Sequence, residues 1–347
     1  MSTKIQRSDP KFTFITKREA SVNIDLFAEK EKYLYTKRIE KRAPKTIDAY
    51  RQVLDQFTKW YAESEHSEIN SEVMREYIHY LSFEKKRWDD HPTSPTGVKG
   101  LSTRTINNVI RNLKIFFNYL VSERIILNSP MDSVKYQLEE KDTFEVFTDQ
   151  DVITLLNAPN RRVYTGLRDY VMMLVLVDTG LRIKELTGLL ISDIDFKLNQ
   201  IVVRAEIAKT KMTRVAPISK ITAKELEKLI SYMNVEDNDY LWLTQFGERY
   251  FGDTFGKMLK LYAKRAKLKG PRVSPHTFRH YFAVKFLRNG GDPIALMRIL
   301  GHTDLAMTEK YVRYTKMDLS EQHINASPVM SLIDKGNEKK RGKAKFK

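Results

Sequence analysis

The chain contains no cysteine. Disulfide staples, thiolate nucleophiles and cysteine-built zinc sites are therefore excluded, and the absence fits a cytoplasmic protein. Long apolar runs are missing too. The longest, VMMLVLV at 171–177, falls far short of the ~18 residues that a membrane span needs. The opening MSTKIQRSDPKFTF has no apolar centre, so no secretory signal is expected. Acidic residues are comparatively scarce. Sixty Lys and Arg stand against 44 Asp and Glu, a surplus of 16 positive charges. That balance points to a polyanionic partner, nucleic acid ahead of an anionic membrane. A merely solvated basic surface is the plainer reading.

With 347 residues, the chain has room for about two domains. Residues 1–20 are polar and basic without a clear period and read as a loose arm. Helical spacing follows through Ile24, Phe27 and Leu34. A second helix begins at Pro44, with Ile47, Tyr50, Val53, Leu54, Phe57 and Trp60 or Tyr61 on one face. SEVMREYIHYLSFEKKR at 71–87 predicts a third helix and HPTSPTGVKG at 91–100 a loop. The fourth helix spans 102–124, capped by Ser102 or Thr103, with Ile106, Ile110, Leu113, Phe117 and Leu120 as its stripe. Pro130 is expected to end it. Residues 21–128 thus form a helical domain, and 129–147 a linker.

The second domain is expected at 148–318, opening at the N-cap Thr148. GLRDYVMMLVLVDTG reads as a buried helix ending at Gly180, and LRIKELTGLL as the start of a short one. IVVRAEI at 201–207 and RVAPI at 214–218 predict a β-hairpin around the turn AKTKMT. YLWLT at 240–244 reads as a strand or a buried loop. Three further helices are expected in GDTFGKMLKLYAKRAK, HTFRHYFAVKFLRNG and DPIALMRILG. Residues 319–347 form a C-terminal segment, and its last 13 residues carry seven Lys or Arg and one Glu. A tail so charged is expected to be disordered. The fold class is mainly α with a small β-sheet or hairpin.

Four segments carry cations or histidines beside turns and helix starts: DTGLRIKEL, AKTKMTRVAPI, SPHTFRHYFA and LGHTDLAMTEKY. Arg182 projects from a helix beginning, with Glu185 one turn later to hold that region. Lys209 sits at a hairpin tip, from which a flexible ammonium reaches a ligand. Arg279 lies three residues after His276, on the same helix face. His276 and His280 have the i, i+4 spacing of zinc ligands, but HTFRH lacks the glutamate of HExxH and sets Arg279 beside the metal position. His302 precedes Tyr311 by nine residues and Tyr314 by twelve. Singly, each residue reads as surface or packing. Together, two arginines, a lysine, two histidines and a tyrosine suit a phosphodiester. Arginine forks grip non-bridging oxygens, and tyrosine attacks phosphorus when positive charge or a base activates it. Histidine and lysine move protons at the bridging oxygens.

In order and spacing these segments resemble the tyrosine recombinase, or phage integrase, family. DTGLRIKEL resembles its first arginine box and supplies Arg182. AKTKMTRVAPI resembles its lysine hairpin; aligning on Arg214 and Pro217 selects Lys209, with Lys211 as a substitute because glycine is missing beside the lysine. HTFRH supplies His276 and Arg279, and LGHTDLAMTEKY supplies His302 and the nucleophile position, Tyr311. Tyr314 falls three residues too far. The resemblance implies a two-domain DNA-breaking-rejoining architecture, with a SAM-like helical core-binding domain and a tyrosine recombinase catalytic domain. It implies site-specific cutting and rejoining of double-stranded DNA through a 3′-phosphotyrosyl link and a Holliday junction. Neither ATP nor metal is implied. A homotetramer on DNA is, along with an accessory DNA-bending or excisionase-like protein and a mobile element to integrate or excise. Residues 316–333 would dock onto a neighbouring protomer. A type IB topoisomerase and a non-catalytic DNA-binding factor are the rivals, separable by plasmid relaxation and by the need for all six residues.

Overall fold

The computed structural model describes residues 24–87, 97–139, 145–233, 235–315, 323 and 327–329. The chain divides into two compact units, Met1–Asp142 and Thr143–Lys347. The N-terminal arm and basic tail expected from the sequence lie outside the described residues, as does nearly all of 316–333.

The first unit is built from α1 (Leu26–Ile39), α2 (Pro44–Glu63), α3 (Ser71–His79) and α4 (Thr103–Ser122). Each start has a local cause. Asp25 caps α1, Pro44 occupies the first turn of α2, and the Asn70 and Ser102 side chains accept backbone N–H groups at α3 and α4, satisfying donors that a helix start leaves open. The expected stripe of α4 is buried, as are Ile47, Val53, Leu54 and Phe57 of α2, with Tyr50, Trp60 and Tyr61 half-buried at its edge, around an aromatic centre of Tyr33, Phe57, Tyr77, Phe116 and Phe117.

Three expectations here need correction. In α1 the buried face is Leu26, Tyr33 and Leu34, while Phe27 is 65% exposed; the aliphatic stem of Lys30 takes the inner position and its ammonium meets Asp55 at 2.7 Å. The third helix does not continue to residue 87 but passes into a π-helical turn at Tyr80–Glu84. The fourth stops at Ser122, before the proline: Arg124 adopts a left-handed φ of 59°, which ends the helical ladder.

The second unit contains α5 (Asp149–Asn157), α6 (Tyr164–Thr179), α7 (Ile183–Leu186), α8 (Lys220–Ser231), α9 (Gly252–Arg265), α10 (Pro275–Arg288), α11 (Pro293–Leu300) and α12 (Ala306–Thr315). Thr148 caps α5 in a reciprocal box with Asp151. Helix α6 is buried along most of its length and packs against α8 and α10, which explains the apolar run at 171–177. A small antiparallel sheet runs in the order β1 (Ile194–Asp195), β2 (Gln200–Val203), β3 (Arg214–Pro217), with Val203 opposite Arg214 where the hairpin enters its connecting loop. The first expected strand is shorter than 201–207, because the chain turns at 205–207. Strand β1 and helices α8 and α12 were not expected. Residues 240–244 are a buried loop: Leu241 and Trp242 are fully buried, and Tyr240 and Leu243 make only isolated bridges. Among the described residues no helix is long and apolar enough to cross a membrane.

Candidate active site

Two helix ends build the centre. Helix α6 ends at Gly180 and α11 at Gly301, both left-handed, with φ of 60° and 62°, a geometry that glycine adopts without strain. Their last carbonyls have no helical partner and carry the negative end of the helix dipole. Arginines collect there. Arg279 donates to the Gly180 carbonyl at 2.8 Å and to the Leu300 carbonyl at 2.9 Å. Arg182 reaches the Leu300 and Gly301 carbonyls, both at 3.3 Å, and Arg214 the Ile299 carbonyl at 2.9 Å.

Glu185 ties this cluster together. Its buried carboxylate accepts the Arg182 backbone N–H at 2.9 Å and the Arg182 Nη1 at 3.0 Å. It also accepts both terminal nitrogens of Arg214, at 3.1 and 2.6 Å. Desolvation opposes its ionisation, but the hydrogen bonds and charges of Arg214 and Arg182 prevail and hold the carboxyl below its ordinary range. Three guanidinium groups against one carboxylate leave a surplus of positive charge, which an incoming anion would neutralise.

The histidines and Tyr311 border the arginines. Burial and the charges of Arg279, Arg182, Lys310 and Arg214 push His302 down to about 3, so the ring is neutral at pH 7. Its Nδ1 lies 2.8 Å from the Thr308 hydroxyl. Tyr311 stands parallel to His302, the rings 6.3 Å apart. Burial pushes the Tyr311 phenol above its ordinary range, although Arg279 and Arg182 pull it back. Tyr311 is 2% exposed: its ring joins the apolar cluster of Phe282, Leu287, Leu296 and Leu300. Its hydroxyl end meets Nδ1 of His280 at 2.8 Å, and His280 is half-buried.

His276 is exposed and stacks on His280, ring centres 5.8 Å apart. Although part of the residue meets solvent, the packing around its ring still desolvates it, and this, then the charges of Arg279, Lys310, Arg182 and Lys209, lowers its pKa. The ammonium of Lys209, in the exposed loop between β2 and β3, therefore acts on the same cluster. Lys211, the alternative lysine, is also exposed and has a left-handed φ of 56°. Among the described residues, no group of three or more His, Asp or Glu is arranged to hold a metal ion.

The structure thus gathers Arg182, Arg279, His302 and Tyr311, with His276 beside them and Lys209 within electrostatic reach. Two contacts escaped the sequence reading. Arg214, used there only to align the hairpin, bridges Glu185 and α11. His280, weighed there only as a zinc ligand, holds the Tyr311 hydroxyl. The i, i+4 spacing of His276 and His280 was the available signal, but it cannot show that a tyrosine thirty-one residues onward packs against it.

Clustered guanidinium groups, neutral imidazoles and a phenol define a site suited to covalent phosphoryl transfer. Residues 145–317 match the phage integrase family, and residues 31–127 match the phage integrase N-terminal SAM-like domain. The tyrosine recombinase XerD of Listeria monocytogenes serovar 1/2a is 28% identical over 290 residues, covering 82% of this chain and 92% of that protein. XerD of Pseudomonas putida is 31% identical over 235 residues, covering 66% and 78%. Among solved structures, a lambda integrase dimer bound to a COC′ core site shares the fold, with a TM-score of 0.65 and 15% identity over 86% of this chain and 79% of that one. The chain belongs to the phage integrase family of tyrosine recombinases, enzymes that cut and rejoin DNA.

Proposed function

We propose that this enzyme binds duplex DNA and cuts it with Tyr311, forming a 3′-phosphotyrosyl link. The observation that carries the reading is the convergence of Arg182, Arg279, His302 and Tyr311 at the paired helix ends. Arg182 and Arg279 are anchored through carbonyls, so they meet a non-bridging phosphoryl oxygen with little reorganisation. His302, neutral and engaged through Nδ1 by Thr308, offers Nε2 as a further donor. Lys209 supplies the proton for the departing 5′-oxygen, and His276 assists proton transfer. The phosphotyrosyl ester conserves the energy of the broken bond, so rejoining by a 5′-hydroxyl needs no nucleotide cofactor. The phosphate approaches at the His280 end of the phenol, where the neighbouring side chains are half-exposed.

Two sequential strand exchanges would pass through a Holliday junction held by four protomers, with residues 148–318 as the catalytic domain and 21–128 as the core-binding domain. Integration and excision of a mobile element is the role we favour. The Lys- and Arg-rich residues 335–347 support it through added phosphate affinity, and an accessory DNA-bending partner would set direction.

The test uses a duplex selected by wild-type cleavage from a random-sequence pool, then nicked so that cleavage traps the adduct. Tyr311→Phe should bind this duplex as wild type does and trap no covalent complex. Adduct formation by Tyr311→Phe, with loss in Tyr314→Phe, would move the nucleophile to Tyr314.

A further inference from the structure

We propose that His280 accepts the phenolic proton of Tyr311 during strand cleavage, an inference that rests on Tyr311 being the nucleophile. A phenol held above its ordinary pKa stays protonated at neutral pH, so attack on phosphorus needs a base on the phenol itself. In this chain the base in contact is His280: its Nδ1 lies 2.8 Å from the hydroxyl, with ring centres 5.6 Å apart. His276 stacks on that imidazole, ring centres 5.8 Å apart.

The electrostatic setting is consistent with this role. His280 faces Lys310 and Tyr311 from α12 and His276 and Arg279 from its own helix, and burial followed by the charges of Lys310, His276 and Arg279 pushes it down to about 4. The imidazole is therefore neutral in the free enzyme, and in the tautomer protonated at Nε2 its Nδ1 has a lone pair to offer the phenol. A bound phosphodiester brings negative charge into the same cluster, offsets Lys310 and Arg279, and makes the ring more basic when the proton must move. As the Oη–P bond forms and the P–O5′ bond breaks, the phenolic proton passes to His280 Nδ1 and the 5′-oxygen takes its proton from Lys209. Rejoining reverses both transfers: the attacking 5′-hydroxyl returns its proton to Lys209, and the departing phenolate takes its proton from His280.

The experiment measures single-turnover cleavage of the selected nicked duplex by the full chain, with His280→Asn and His280→Ala. Asparagine keeps a hydrogen-bonding group near the Nδ1 position but cannot take the proton, so it separates proton transfer from packing. Both variants should bind DNA as wild type does and cleave about 10²–10⁴-fold more slowly, the usual span for a lost general base. Raising the pH should recover part of the loss as the phenol ionises unaided. Replacing the bridging 5′-oxygen by sulfur, a leaving group that needs no acid, should rescue Lys209→Ala but neither His280 variant.

Cleavage by His280→Asn within about threefold of wild type, a loss too small for a general base, would overturn the proposal by reducing the contact to packing. So would rescue of the His280 variants by sulfur. Faster cleavage by His280→Ala would also overturn it and make the imidazole a catch that parks the phenol. Adduct formation by Tyr311→Phe would remove the nucleophile reading itself, whereas its absence beside a fully active His280→Asn would sink only the present inference.

Discussion

Glu185→Gln is the most informative single perturbation of the site's framework. Each oxygen of this carboxylate accepts two hydrogen bonds. Oε1 takes Arg182 Nη1 at 3.0 Å and Arg214 Nη1 at 3.1 Å; Oε2 takes the Arg182 backbone N–H at 2.9 Å and Arg214 Nη2 at 2.6 Å. All four partners are donors. In glutamine one oxygen becomes an NH₂ group, so whichever way the amide turns, two donors face a donor. Hydrogen bonds to charged groups contribute about 1.5–3 kcal/mol each, so two lost bonds cost about 3–6 kcal/mol. Removing one partner of a buried ion pair costs a similar ~3–5 kcal/mol. At about 2–4 °C per kcal/mol for a unit of this size, a loss of ~3 kcal/mol lowers the melting temperature of the second unit by roughly 6–12 °C.

The pH dependence gives an independent check. The Glu185 carboxyl is held below its ordinary value of 4.5 in the folded chain. Its contribution is therefore fully present above that value and is lost as pH falls through the lower folded one. Calorimetric melts of wild type and variant should differ by a constant amount from pH 8 to pH 6 and converge only as the pH falls below the carboxyl's ordinary value of 4.5. Cleavage should fall as well, because Arg182 and Arg214 lose the group that orients them. A melting shift at pH 7 below about 2 °C, less than ~1 kcal/mol, or a gap that closes between pH 8 and 6, would refute the reasoning.

Gly180→Ala should destabilise the second unit by about 2–4 kcal/mol, combining a left-handed φ with overpacking. The added Cβ would lie 2.5 Å from Phe282 Cδ1 and 2.8 Å from Leu300 Cδ2; urea unfolding would measure the loss. Arg279→Lys loses the fork that grips Gly180 and Leu300 and should slow cleavage about 10²–10³-fold with duplex affinity nearly unchanged, as gel shifts and single-turnover rates would show. His280 and His302 titrate at about 4 and 3 in the folded chain, below their ordinary value. Their contribution is present above about pH 6.5 and declines as pH falls toward the folded values. Melting temperature should therefore be flat near pH 7–8 and fall below about 6.5, with a shallower fall in a His280→Asn, His302→Asn double variant.

Periodicity and local chemistry made most elements legible. The stripe Ile106, Ile110, Leu113, Phe117 and Leu120 is buried as its spacing demands, and Thr148 and Ser102 cap the helices they precede, because such signals act within one turn. The limits were equally physical. Phe27 belonged to a plausible stripe yet faces outward, since a helical period fixes which residues share a face and not which face meets the core. Helix α12 escaped notice because its sequence is polar; it packs against α10 and α11, and no local signal announces a distant partner.

The site divides the same way. The order and spacing of DTGLRIKEL, HTFRH and LGHTDLAMTEKY were enough to nominate Arg182, His276, Arg279, His302 and Tyr311, because residue types in a fixed order are a property of the chain itself. Tertiary structure alone decided that two glycine-capped helix ends meet, so that their unpaired carbonyls draw three guanidinium groups together. It alone set His280, rather than His276, against the phenol. Those contacts join residues up to 119 positions apart, and sequence spacing carries no information about distance in space once the chain has turned back on itself.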